Sequence, residues 1–105
     1  MKKLTLLIAM LIAIGGCSNE ISGDQLLYRD GLFYEVNSQT PFTGSSVWYY
    51  ESGQLKIKAN YRKGKRHGLS EWYYENGQLQ RKLNWQYGYE DGPAERYLEN
   101  GSKEP

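Results

Sequence analysis

Self-similarity constrains this chain more than any other feature. Gly44 to His67 align with Gly68 to Asp91 without a gap, and 12 of 24 positions are identical. The identities include Gly44/Gly68, Ser46/Ser70, Trp48/Trp72, Tyr49/Tyr73, Tyr50/Tyr74, Glu51/Glu75, Gly53/Gly77 and Lys58/Lys82. A third, partial copy starts at Gly92, with Tyr97, Glu99 and Gly101 in register. A fixed period of this length means stacked copies of one supersecondary unit, each too small to bury its own apolar face. At 105 residues the chain amounts to one domain, which excludes a two-domain enzyme.

The unit reads as a β-hairpin. Ser70 to Tyr74 and Leu79 to Trp85 are strand candidates on either side of Asn76-Gly77. Asn-Gly predicts a two-residue type I′ turn, because both central residues need positive φ. Ser52-Gly53 and Asn100-Gly101 hold the equivalent places, and a second turn containing Gly64 or Gly88 joins one hairpin to the next. Composition agrees: all 10 Tyr, 3 Trp and 2 Phe lie beyond residue 17, in a stretch rich in Gly and free of long aliphatic runs. Aromatics with glycines suit pleated strands and tight turns. Leu26 to Val36 is a further hairpin candidate turning at Asp30-Gly31, and Pro41 falls in the connection that follows, since it cannot donate to a ladder. The expected fold is all-β: an elongated, single-layer antiparallel sheet of tandem hairpins over residues 26–105. Its parts are a capping hairpin at 26–43, repeats at 44–67 and 68–91, and a partial repeat at 92–103.

The first residues carry a different signal. Lys2 and Lys3 precede an 11-residue apolar run, Leu4 to Ile14, and then Gly15, Gly16 and Cys17. A helix of that length cannot cross ~30 Å of hydrocarbon, so residues 1–16 read as a helical signal peptide and not as a permanent span. Ile14-Gly15-Gly16-Cys17 resembles the lipobox of bacterial lipoproteins. The resemblance implies diacylglyceryl transfer to the Cys17 sulfur, cleavage after Gly16, acylation of the new amino terminus, and a place in the cell envelope. Ser18, where the sorting pattern of enteric bacteria would have Asp to retain a lipoprotein at the inner membrane, implies the periplasmic side of the outer membrane in a Gram-negative cell. Cys17 is the only cysteine, so no intramolecular disulfide competes for it. Residues 17–25 are then the lipidated cysteine and a polar, flexible tether. Loss of Lys2 and Lys3 leaves 11 bases against 12 acids, which gives no electrostatic reason to expect nucleic-acid binding.

Tyr61-Arg62-Lys63-Gly64-Lys65-Arg66-His67-Gly68 resembles the core of MORN repeats, which run from an aromatic through a turn glycine to a Lys-x-His-Gly step. Trp72-Tyr73-Tyr74-Glu75-Asn76-Gly77-Gln78-Leu79 is similar to the bacterial variant of that repeat found in YwqK-family antitoxins. The resemblance implies an elongated, twisted antiparallel sheet that presents surfaces to partners. It also raises antitoxin-like neutralisation of a protein toxin. Two departures stand out: Ser70 replaces a second glycine, and Tyr89-Glu90-Asp91 replaces the Lys-x-His step.

No set of residues points to catalysis. His67 is the only histidine and has neither a cysteine nor a second histidine to share a metal. A triad of His67, Asp91 and Ser46 or Ser70 lacks any nucleophile elbow, and the two serines recur simply as repeat positions. Glu51, Glu75 and Glu99 occupy one repeat position beside a turn, which speaks for solubility over a hydrolase pair. No catalytic residue, metal or cofactor is expected. Two surfaces are candidates for binding. Lys56, Lys58 and Arg62 share one strand face inside an acid-free run and form a basic stripe suited to an acidic partner, anionic lipid or lipopolysaccharide, or else to edge protection. Trp48, Tyr50, Trp72, Tyr74 and Trp85 serve packing by default, but one face of a single layer has no second layer to cover it. The expected function is a lipid-anchored, non-enzymatic repeat module that binds a protein at the envelope.

Overall fold

A computed structural model describes residues 19–104; the expected signal peptide at 1–16 and the expected lipid-bearing Cys17 lie outside the described residues. Nine strands follow one another: β1 (Glu20–Ser22), β2 (Leu26–Arg29), β3 (Leu32–Glu35), β4 (Gly44–Tyr49), β5 (Leu55–Arg62), β6 (Lys65–Tyr73), β7 (Leu79–Gln86), β8 (Tyr89–Glu90) and β9 (Glu95–Arg96). The main sheet runs β1-β4-β5-β6-β7, with β8 and β9 both on the far edge of β7. All its pairings are antiparallel except β1 with β4. Hairpin β4–β5 is the first repeat and β6–β7 the second. No α-helix occurs among the described residues.

The Asn-Gly hairpin turn does not take the expected type I′ geometry. At Asn76-Gly77, Gly77 N–H donates to Tyr74 O (2.9 Å) and Tyr74 N–H donates to Gln78 O (2.8 Å). Only Gly77 has positive φ (91°), so the two central residues, Glu75 and Asn76, follow a type I turn and Gly77 forms the bulge after it. Asn76 is chosen for its side chain: Oδ1 accepts from the Gln78 N–H at 2.9 Å, as Asn100 Oδ1 does from Ser102. The type I′ turns are instead the links between hairpins, Lys63-Gly64 (φ 51° and 83°) and Tyr87-Gly88 (46° and 91°), together with Asp30-Gly31 (52° and 83°) in the cap. A bulky tyrosine with positive φ is unusual and strained. Tyr87 is held there by its own N–H, which donates to His67 Nδ1 at 3.2 Å, and by its ring, 4.5 Å from the imidazole. One repeat earlier, Lys63 N–H donates to Thr43 Oγ1 at 2.9 Å.

Repeats are fastened to each other by the same atoms. Tyr50 Oη donates to Tyr73 O and Tyr74 Oη to Tyr97 O, both at 2.7 Å. Gly64 N–H donates to Phe42 O and Gly88 N–H to Arg66 O, both at 2.8 Å. Offset by one period, β8 and β9 together stand where β6 stands, with the strand broken at Asp91-Gly92-Pro93. Pro93 takes the place of Leu69 and has no N–H for a ladder, which blunts this edge.

The capping hairpin β2–β3 forms its own two-stranded sheet and lies over one end of the main sheet, tied to it where Phe33 N–H donates to Gly64 O at 2.8 Å. Its Phe33 ring is 5.1 Å from Tyr61, and Phe42 is 5.8 Å from the same ring. Phe42, Ala59 and Tyr61 form the buried centre, with Ile21, Leu26 and Phe33 packed against them. Residues 20–25, expected as part of a flexible tether, are ordered. Ile21 packs against the core, and β1 pairs with the edge of β4 that would otherwise leave its backbone groups unsatisfied. Gly23 is buried against the Trp48 indole so closely that a Cβ there would sit 2.0 Å from ring atoms.

Candidate functional site

Alternation along the strands gives the main sheet two unlike faces. On the first, Trp48, Ile57, Trp72, Arg81 and Arg96 are successive cross-strand partners and form one row transverse to the strands. The neighbouring row is Ile21, Ser46, Ala59, Ser70 and Leu83. It is small in the middle, and Ser46 and Ser70 are each only 1% exposed, because the rings of Trp48 and Trp72 stand two positions along the same strands. The cap covers this face only near Tyr61. Beyond it, Trp72, Tyr74, Arg81, Arg96 and Glu104 line an open groove of about 250 Å³. Trp48 leaves 44% of its surface to solvent. The Arg81 guanidinium lies 4.0 Å above the Trp72 ring, a cation–π contact that holds the two side chains together.

The other face is a charge ladder. Val47, Lys58, Glu71, Lys82 and Glu95 are successive cross-strand partners, and Lys58 Nζ also reaches Glu20 Oε1 at 3.6 Å. Tyr73 and Tyr97 lie two positions beyond Glu71 and Glu95. Burial, and then the charge and hydrogen bond of Glu71, raise the Tyr73 hydroxyl above its ordinary value of 10.0. Tyr97 Oη donates to Glu95 Oε1 at 2.6 Å. That bond, followed by the charge of Lys82, lowers the Glu95 carboxyl from its ordinary 4.5, while the same bond raises Tyr97.

The expected site residues therefore do not form one cluster. Trp48 and Trp72 share the transverse row. Tyr74 lines the same groove, but its hydroxyl, like that of Tyr50, is engaged in holding successive repeats together. Trp85 sits beyond the small-residue row, with Nε1 buried and unpartnered and Arg66 5.3 Å over its ring. Lys58 lies on the opposite face, among carboxylates, so the basic stripe expected on β5 is interrupted by Glu71 and Glu20. Lys56 leans 5.4 Å over the Tyr50 ring, and Arg62 is exposed at the far end of β5, opposite Lys65. Arg81 and Arg96 were not among the expected residues. Their signal is a departure from the repeat, since Arg81 replaces Ile57 and Arg96 replaces Trp72 at equivalent positions. Glu51, Glu75 and Glu99 belong to turns, and His67, on β6, accepts from the Tyr87 N–H of a linking turn.

Comparison with known families agrees with this geometry. A family described as the MORN repeat variant matches at residues 42–63 and again at 66–87. Each match begins one period from the other, at Phe42 and Arg66, and ends on the left-handed residue of a linking turn, Lys63 or Tyr87. Searches among curated proteins and among solved structures return no match. The two central units of this chain, hairpins β4–β5 and β6–β7, each match the MORN repeat variant.

Proposed function

We infer that the chain is a lipid-anchored envelope protein whose repeat sheet binds a partner protein through the face bearing Trp48 and Trp72. MORN repeats are in general binding modules, which fits a non-enzymatic role. The observation that carries the reading is the part of the aromatic face that the cap does not cover. There, a tryptophan 44% exposed and a groove lined by two arginines stand on the sheet. Exposed aromatics with arginine are the side chains that dominate protein interfaces. Anchoring rests on the lipobox-like residues Ile14 to Cys17, with the periplasmic side of the outer membrane as the proposed location. Neutralisation of a toxin, implied by the YwqK resemblance, is a narrower case of the same interaction and requires a toxin that acts at the envelope.

A photo-crosslinking residue at position 48 is expected to capture a defined protein in the native cell, whereas one at position 82, on the charged face, is not. Equal capture from both positions refutes the assignment of the face. Labelled palmitate is expected to be incorporated into the wild type and not into Cys17→Ser; no label in the wild type, or label that survives the substitution, refutes the anchor.

A further inference from the structure

The transverse row changes character along its length. It begins with Trp48 and Ile57, passes Trp72, and ends with Arg81 and Arg96 directly opposite one another on neighbouring strands. Like charges placed directly opposite are destabilising in a sheet. Neither arginine is in an ion pair: among the described residues the only ion pair is Lys58 with Glu20, on the other face. The cost could have been avoided, because the equivalent positions one repeat earlier hold Ile57 and Trp72. An acidic residue, Glu104, lines the end of this groove, its N–H donating to Arg96 O at 2.9 Å.

We propose that Arg81 and Arg96 form a carboxylate clamp for an extended acidic segment of a partner protein, laid across the strands with its apolar end over Ile57 and Trp48. The inference rests on the reading of the aromatic face as a protein-binding surface and names the partner's chemistry. Five side chains on adjacent strands span four steps of ~4.8 Å, roughly 19 Å, which matches about six extended residues at ~3.3 Å each. Guanidinium forks take carboxylates in pairs of parallel hydrogen bonds, and Arg81 is held ready by its contact with Trp72. The gradient from apolar to cationic fixes the direction of the segment as well as its composition.

The probe is a fluorescent eight-residue peptide with two leucines at one end and two glutamates at the other, titrated into the purified full chain and read by anisotropy. Binding is expected to weaken about tenfold or more when both glutamates become glutamines, and by a similar factor in the double variant Arg81→Gln, Arg96→Gln. The two losses are not additive when combined, since each removes the same contact. Circular dichroism confirms that the variant remains folded; both arginines lie at the surface of the groove, and their removal relieves repulsion. No binding of the acidic peptide, or equal binding by the glutamine peptide, overturns the clamp. Binding of phosphatidylglycerol vesicles that depends on both arginines, without binding of the peptide, overturns it in favour of a lipid surface. If crosslinking from position 48 captures a partner equally well with and without the arginines, the clamp fails while the proposed function survives. If position 48 captures nothing, both fail.

Discussion

Tyr61→Ala tests how much of the fold hangs on the contact between cap and repeats. Tyr61 is 7% exposed and touches the cap through Phe33 on one side and the connection through Phe42 on the other. Truncating a fully buried aromatic to alanine costs about 3–5 kcal/mol, made up of lost transfer free energy and the cavity left behind. The 86 described residues belong to a domain whose total stability is of the order of 4–13 kcal/mol at ~0.05–0.15 kcal/mol per residue. One ring therefore accounts for about a quarter or more of the total. Urea unfolding followed by tryptophan fluorescence should give a midpoint lowered in that proportion, and amides of β2 and β3 should exchange faster than those of β6 and β7. Tyr61→Phe keeps the ring and should stay within about 1 kcal/mol of the wild type. A loss below about 1 kcal/mol for Tyr61→Ala, or uniform loss of protection over the whole sheet, would refute the view that the cap is a separately held layer.

Other outcomes follow from individual contacts. Tyr74→Phe removes one hydroxyl bond to Tyr97 O and should cost about 1 kcal/mol, felt as faster amide exchange at Glu95 to Glu104, while Tyr50→Phe costs a similar amount between the two full repeats. Glu95 is held below its ordinary 4.5, so it stabilises the fold above about that pH and the contribution is lost as pH falls through the lowered folded value. Tyr97 is raised, so its contribution is present below 10.0 and is lost as pH rises through the folded value; NMR of the β9 amides should show this edge loosening on both sides of the window. Ser70→Ala deletes a buried hydroxyl that has no partner and should raise stability by about 1 kcal/mol in thermal unfolding. Tyr87→Asn places a residue tolerant of φ 46° in the type I′ turn and should raise the melting temperature; a fall would mean that the ring contact with His67 outweighs the strain.

Hairpin existence, order and period were legible because backbone demand recurs at fixed spacing. The glycines and the Trp-Tyr-Tyr triplet mark the same points in each copy. The turn types were not legible from Asn-Gly alone. Asn76 suits a type I′ turn by tolerance of positive φ, and suits a type I turn by capping the N–H of Gln78; the ladder register, which no local motif records, selects the second. The ordered run over residues 20–25 escaped notice because a single Ile21 in a polar stretch carries no periodicity, and its partner is an edge 25 residues away, at Ser46. The site was half legible. Identical tryptophans at positions 48 and 72 announced the row, whereas Arg81 and Arg96 were hidden as departures from identity, and the acids opposite Lys58 come from other strands.

The bonds Tyr50–Tyr73 and Tyr74–Tyr97 have a consequence for how such a chain can lengthen. Each joint uses a donor from one unit and an acceptor from the next, so the surface a unit offers downstream is the surface it accepts upstream. A duplicate of residues 44–67 spliced in before Gly68 would find both its joints already made. Growth of this kind leaves the two ends untouched and widens the tryptophan-bearing platform by one hairpin, so gene duplication alone could tune its reach.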